Sequence, residues 1–323
     1  MKILLTGATG FIGSHLLPKL AENNDVVCLI PSSDLNFKEI QKNFQVKFAD
    51  LANYEMVGKI VADAKPDAIA HLAAATPVRY SFEKPEVYQE VNFLATVNLV
   101  HAALKLSNFE KFVFASTMET YGWQTEKKPF TENLSLNPAS PYAVSKVAAE
   151  NYIKMAGRAF GLPYLISKAC NTFGRKDSTG FIVEYLTTQM LKNQKPFIGT
   201  PDAVRDLMYV DDHVQAYIKL VEHDAGDEKE RMELVESDPN YFVFNFGNGF
   251  EFTIKQVAEK IQSITGYKGG FEFSFPKDYP KRPVVEQYLS LNSAKAKRIL
   301  GWKPAVSLDD GLKKTVDYWK KTI

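Results

Sequence analysis

A chain of 323 residues has room for a large core and is long for one domain. Its 39 Lys and Arg against 38 Asp and Glu give a formal charge of +1 without long blocks of one sign, so no nucleic-acid footprint is expected. No apolar stretch reaches bilayer length and the N-terminus lacks a leader pattern, so a cytoplasmic protein with no membrane partner is expected. Cys28 and Cys170 read as small buried hydrophobes, not a disulfide or a metal pair, and no metal is expected.

The apolar run Ile3 to Leu5 predicts a buried strand, and it leads straight into Gly7, Gly10 and Gly13. An apolar-periodic helix, Phe11 to Leu20, follows. Strand, glycine turn and helix in that order make a dinucleotide phosphate site. Gly7 permits the tight turn, Gly10 admits the pyrophosphate and Gly13 lets helix and strand pack closely. The spacing is G-x-x-G-x-x-G, which differs from the common G-x-G-x-x-G pattern.

Further strands are predicted at Asp25 to Ile30, Val46 to Ala49, Asp67 to His71, Lys111 to Ala115 and Pro163 to Ala169. Helices are predicted at Tyr54 to Ala64, at Val87 to Leu106 and from Pro141 onward, where proline suits a first turn. The acidic stretch Asp224 to Glu230 reads as a solvated loop. Later segments predict a helix at Phe181 to Leu191, an edge strand at Val204 to Val210 and a helix at Asp211 to Val221 capped by aspartate. A returning strand at Phe242 to Phe246 and amphipathic helices at Thr253 to Ile264 and Leu308 to Trp319 complete the chain. The expected fold is α/β: a Rossmann-like, doubly wound parallel sheet with a smaller C-terminal α/β substrate-binding domain. The dinucleotide domain is expected over residues 1–173, with 211–246 returning to it, and the substrate domain over 174–210 and 247–323.

Chemistry collects at the fifth strand and the helix after it. Ser116, Thr117 and Glu119 put hydroxyls and a carboxyl at the C-terminal edge of the sheet. Tyr142 and Lys146 stand four residues apart on one helix face. A lysine ammonium near a phenol favours phenolate, which makes Tyr142 a candidate acid/base, with Lys146 also able to reach a ribose. Thr117 is placed to hydrogen-bond the same substrate oxygen. Elsewhere Y-x-x-x-K is an ordinary surface pair; here it follows the fifth strand of a dinucleotide fold.

With these motifs in view, the sequence resembles the extended short-chain dehydrogenase/reductases, the branch of nucleotide-sugar epimerases, dehydratases and decarboxylases. The resemblance rests on residues 6–13, Asp50-Leu51, residues 71–74, Asn92, Ser116-Thr117 with Tyr121-Gly122, Ser140-Pro141-Tyr142 with Lys146, residues 171–174, residues 205–212, Arg282-Pro283 and residues 300–304. It implies that Thr117, Tyr142 and Lys146 form a catalytic triad, that Asp50 and Leu51 meet the adenine, and that Ala73 and Ala74 line the nicotinamide. Phe11, Ile12, Leu72, Asn92 and Ser116 complete the implied cofactor wall. Thr76, Asn171, Arg205 and Arg282 are implied substrate contacts, the last three holding the nucleotide diphosphate. A homodimer through the helices around Val91–Leu106 and Tyr142–Phe160 is also implied.

Two departures stand out. The second strand ends Ile30-Pro31-Ser32-Ser33-Asp34 without the acidic residue that binds ribose in many relatives. Ser32 and Ser33 suit a 2′-phosphate, whereas Asp34 suits a free ribose, so NAD and NADP both stand open. Glu119 matches the base of relatives that abstract a C5 proton, but Met118 replaces their polar middle residue. Lys168 stands where relatives often have arginine. The expected activity is nucleotide-sugar chemistry through a C4-keto sugar, C4 epimerisation first, with a 4,6-dehydratase, decarboxylase or 4-keto reductase as alternatives. A non-catalytic dinucleotide sensor is the alternative from another class.

Overall fold

The computed structural model describes residues 1–34, 36–176, 178–277, 283 and 287–323. The first half alternates strand and helix: β1 (Lys2–Thr6), α1 (Phe11–Leu20), β2 (Asp25–Ile30), α2 (Phe37–Gln41), β3 (Gln45–Phe48), α3 (Tyr54–Ala64) and β4 (Ala68–His71). A helical stretch then runs through α4 (Pro85–Tyr88), a π-helical segment (Gln89–Leu94) and α5 (Ala95–Ala103), followed by β5 (Lys111–Thr117), α6 (Pro141–Phe160) and β6 (Tyr164–Ala169). The second half adds β7 (Asn171–Phe173), α7 (Ile182–Leu191), β8 (Val204–Arg205), β9 (Leu207–Tyr209), α8 (Val210–Glu222), α9 (Glu228–Ser237) and β10 (Val243–Phe246). It ends with β11 (Phe252–Thr253), α10 (Ile254–Thr265), β12 (Tyr288–Leu289), α11 (Ala294–Leu300) and α12 (Leu308–Thr322).

Among the described residues seven strands form one parallel sheet in the order β10-β6-β5-β4-β1-β2-β3. β1 pairs with both β2 and β4, so the chain reverses direction across the sheet at β1. Ligands of such sheets bind at that crevice, beyond the C-terminal strand ends. Ile3, Leu4, Leu5, Phe112, Val113 and Phe114 are fully buried, as strands covered on both faces require. A second core, holding Val183, Leu186, Val257, Ile261, Leu312 and Val316, lies among α7, α10 and α12.

Besides adding α2, α11 and the short strands β7, β11 and β12, the structure departs from the expected elements in four places. The helix expected at 87–106 begins at Pro85 and carries a π turn; Asn92 lies in that turn and is buried. The edge strand expected at 204–210 splits at Asp206. Its buried carboxylate accepts N–H groups of Asn248, Gly249 and Leu291, and β8 and β9 join different small sheets. α8 begins at Val210 without a side-chain cap, because Asp212 instead accepts the N–H groups of Ala305 and Val306 at 2.9 and 3.0 Å. The acidic stretch read as a loop enters α9, whose cap is Asp227, accepting from the Glu230 N–H at 2.9 Å; acids in that first turn suit the helix dipole. Among the described residues no helix is long and apolar enough to cross a membrane.

Candidate active site

The turn after β1 is built from backbone. Gly7 adopts φ +74°, and a Cβ there would lie 2.6 Å from the Ala73 nitrogen. A Cβ on Gly13 would lie 2.0 Å from the Gly7 carbonyl oxygen. Both hydrogens are therefore required for α1 to start against β1 and against the loop after β4. Gly10 closes the turn by donating to the Gly7 carbonyl at 3.0 Å and forms the N-cap of α1 with no side-chain cap. The first N–H groups of α1, from Phe11 and Ile12 onward, start a helix with an anion-attracting end. This glycine cradle, which a Cβ would fill, fits a dinucleotide pyrophosphate. The Thr6 hydroxyl accepts from the Ala73 N–H at 3.1 Å and lies 2.7 Å from His71 Nδ1, which fixes the strand ends beneath the turn.

The loop after β2 reaches back to this turn. The Thr9 hydroxyl donates to the Asp34 carboxylate, which also accepts the Asn36 N–H at 2.9 Å. Ser32 and Ser33 are exposed in a turn. Past β3, Asp50 is exposed and turns the chain by accepting the Ala52 N–H at 2.9 Å, with Leu51 half-buried beside it. Leu72, Ala73 and Ala74 are half-buried after β4, and Thr76 is exposed. Asn92 is fully buried: it accepts the Ala75 N–H at 2.8 Å and donates to the Ala75 carbonyl and the Ser145 hydroxyl. Its amide therefore shapes the loop after β4 through Ala75.

The end of β5 and the start of α6 are built from side chains. Ser140 caps α6, its hydroxyl accepting from the Ala143 N–H at 3.1 Å, and Pro141 occupies the first turn. This places Tyr142, only 7% exposed, against the end of β5, where Thr117 is close enough to act on its phenol. One turn on, Lys146 is 2% exposed and donates to the Ala115 carbonyl at 2.8 Å. Its charge lies 4.8 Å from the Phe114 ring centroid. Desolvation pulls the Lys146 ammonium down to about 7, while Glu150 opposes the shift. The lowering expected of the Tyr142 phenol is not what the packing produces: burial pushes it up, the charge of Glu119 adds to this, and Thr117 counters it. Met118 is fully buried in the main core, whereas Glu119, 6% exposed, acts electrostatically on Tyr142. The Ser116 hydroxyl is given to the Glu150 carboxylate.

On the far side, Asn171 is exposed at the start of β7, and Arg205 is buried, donating to the Val204 carbonyl at 2.8 Å. Arg282 lies outside the described residues. Buried groups not singled out in the sequence join the site's surroundings. Tyr217 of α8 acts on the Tyr142 phenol, and His213, pulled down to about 3 by burial, lies 2.8 Å from the Thr172 hydroxyl. Their only signal in the sequence is spacing on the inner face of α8, which a core residue shares.

A parallel sheet with a glycine cradle after β1, and a threonine, tyrosine and lysine gathered at β5 and α6, defines an extended short-chain dehydrogenase/reductase. The family model described as GDP-mannose 4,6 dehydratase matches residues 4–315, and the chain belongs to that family. It is 32% identical over 324 residues to a putative UDP-glucose 4-epimerase of Methanocaldococcus jannaschii, with 98% of each chain covered. Among solved structures it is similar to the Thermotoga maritima UDP-glucose 4-epimerase with UDP-glucose, at TM-score 0.87 and 31% identity, covering 100% of this chain and 99% of that one. The Thermus thermophilus UDP-glucose 4-epimerase in complex with NAD gives TM-score 0.86 and 27% identity, with 100% of both chains covered.

Proposed function

We propose that the protein is an NAD-dependent nucleotide-sugar epimerase that inverts C4 of a UDP-hexose. The observation that carries this reading is the placement of Tyr142 and Lys146, both buried on the first turns of α6, against the end of β5, where Lys146 donates to the Ala115 carbonyl and Thr117 acts on the Tyr142 phenol. Residues 1–173 and 211–246 would hold the cofactor, and 174–210 with 247–323 the nucleotide sugar. Gly7, Gly10, Phe11, Ile12 and Gly13 would receive the pyrophosphate, Asp50 and Leu51 the adenine, and Leu72, Ala73 and Ala74 the nicotinamide. The relative of known structure bound to NAD supports this dinucleotide. Asp34 supports NAD over NADP, since a 2′-phosphate near its carboxylate would meet like charge. Ser32 and Ser33, exposed in the same loop, are hydroxyl donors that suit such a phosphate.

In the mechanism Tyr142, as phenolate, takes the proton of the C4 hydroxyl, and Thr117 donates to the same sugar oxygen. When protonated, Lys146 one turn behind would oppose the upward push that burial gives the phenol. A nicotinamide held along Leu72, Ala73 and Ala74 would supply hydride acceptance and return at C4. The C4–H bond breaks as the carbonyl forms, and a 4-keto sugar turned over in the site regains hydride on its other face and the proton from Tyr142. Asn171, Arg205 and Arg282 would grip the diphosphate through this turn. Glu119 favours a second reading, a 4,6-dehydratase, because a buried carboxylate beside Tyr142 suits C5 proton abstraction. Met118, buried and apolar, offers no acid for the leaving hydroxyl, so epimerisation stands first.

Val87, Leu94 and Val144 are exposed apolar residues on α4, the π segment and α6, and a second copy of the chain covering them is part of the reading. Light scattering giving a monomer mass at micromolar concentration would remove that part. The reading as a whole is tested by incubating the NAD-loaded protein with UDP-glucose and following the C4 configuration by NMR. Inversion in the wild type and its loss in Tyr142→Phe support it; inversion undiminished in Tyr142→Phe overturns it.

A further inference from the structure

The helical stretch around the π segment carries a row of buried polar groups that the proposed chemistry does not use. Tyr88 ends α4, Asn92 lies in the π segment and Thr96 lies in α5, and all three are buried. On an α-helix of about 3.6 residues per turn a four-residue step drifts around the axis, and the wider π turn offsets that drift. The three side chains therefore meet one target, the end of β4 and the loop after it. The Tyr88 hydroxyl donates to the Pro77 carbonyl at 2.6 Å. Asn92 holds both backbone groups of Ala75, at 2.8 and 3.1 Å. Thr96 donates to the Asn92 carbonyl at 2.7 Å, so its oxygen accepts from His71 Nε2, 3.0 Å away.

The row also reaches the other wall of the candidate site. Asn92 donates to the Ser145 hydroxyl of α6 at 3.0 Å. Tyr88 meets Tyr142 ring to ring, with centroids 6.2 Å apart and planes at 83°. That is edge-to-face packing, a preferred arrangement of aromatic pairs that restricts the tilt of both rings. Tyr88 thus joins the two walls directly: its ring packs on Tyr142 while its hydroxyl holds Pro77. Thr76 lies between the two pinned residues, Ala75 and Pro77, and is itself exposed. We propose that Tyr88 is a positioning residue that sets the gap between the Tyr142 ring and residues 75–77, and with it the width of the slot that takes the hexose. This deepens the proposed function and rests on its assignment of Tyr142 and on Thr76 as a substrate contact.

The two ends of the Tyr88 side chain have separable roles. Tyr88→Phe removes the hydroxyl and leaves the ring against Tyr142. The Pro77 carbonyl keeps the Tyr80 N–H, 3.1 Å away, and Asn92 still holds Ala75, so the loop loosens without stranding a buried polar group. Tyr88→Leu removes the ring as well and opens space beside Tyr142.

The test uses the NAD-loaded protein. Calorimetric titrations in a Tyr142→Phe background, which reads binding apart from turnover, compare UDP-glucose with UDP. Adding Tyr88→Phe should weaken UDP-glucose about fivefold, the scale of one lost hydrogen bond, and leave UDP unchanged, because the slot concerns the hexose. With Tyr142 intact, Tyr88→Phe should keep kcat within about twofold of the wild type, whereas Tyr88→Leu should lower it at least about tenfold, as displacement of a reacting group does. NAD content and circular dichroism should match the wild type in both. Unchanged UDP-glucose affinity, equal weakening of UDP and UDP-glucose, or the same kcat in Tyr88→Phe and Tyr88→Leu overturns the proposal and leaves Tyr88 a core residue. Where Tyr88→Leu fails to fold, the contrast between UDP-glucose and UDP in Tyr88→Phe carries the decision. A Tyr142→Phe protein that inverts UDP-glucose undiminished would instead sink the assignment of Tyr142 on which the proposal rests.

Discussion

The two ends of the candidate site are made in opposite ways. At the end of β1 the cradle proposed for the pyrophosphate is backbone, and its essential side chains are the absent ones of Gly7 and Gly13. At the end of β5 the chemistry is all side chain: Thr117, Tyr142 and Lys146, with charges of Glu119 and Glu150 around them. The first end is therefore sensitive to volume and indifferent to pH. The second tolerates isosteric change in its packing but responds to every charge near it.

That contrast is broken most severely by a methyl group. Gly13→Ala puts a Cβ 2.0 Å from the Gly7 oxygen, so α1 must move off β1. NAD affinity should fall by at least about a hundredfold in a fluorescence titration, at every pH, as loss of geometry implies. Retained affinity would show that the cradle is not where the cofactor lies. At the other end, Tyr142→Phe should lower turnover by about 10³-fold while NAD stays bound, the scale of lost acid–base catalysis.

Beneath the cradle, His71 gives the stability counterpart. Its pKa of about 3 in the fold, from burial, against 6.5 unfolded, means the unfolded chain binds its proton first as pH falls. Stability is thus full above about 6.5 and lost as the pH drops toward 3. His71→Gln removes this proton uptake, so the stability gap between wild type and variant should narrow by about 2 kcal/mol between pH 6.5 and 5 in urea titrations. A gap independent of pH would contradict the neutral, buried imidazole. The smallest effect is at Glu119. Its charge raises the Tyr142 phenol, so Glu119→Gln should let the phenol ionise more easily. The acid limb of the turnover profile should move down by about half a pH unit.

How legible each region was follows from the same contrast. The glycine cradle and the start of α6 were readable because their causes are local: steric need at Gly7 and Gly13, and a Ser140-Pro141 cap that fixes the register of Tyr142 and Lys146. The central strands were readable from apolar runs covered on both faces. The break between β8 and β9 was not, because Asp206 is held by amides of residues 248, 249 and 291, distant in the chain. The cap at Asp227 was hidden in a run of acids that also suits a loop. The direction of the Tyr142 shift was hidden for a deeper reason. Helical spacing reports that a lysine is near, but not that burial is the largest influence on the phenol.

The central claim is that Tyr142 drives oxidation and inversion at C4 of a nucleotide sugar. The most direct measurement is proton NMR of UDP-glucose turned over by the NAD-loaded protein in deuterated water. The account predicts UDP-galactose with no deuterium at C5 or C6. Deuterium at either carbon would contradict C4 inversion and turn the assignment to Glu119 and C5 chemistry.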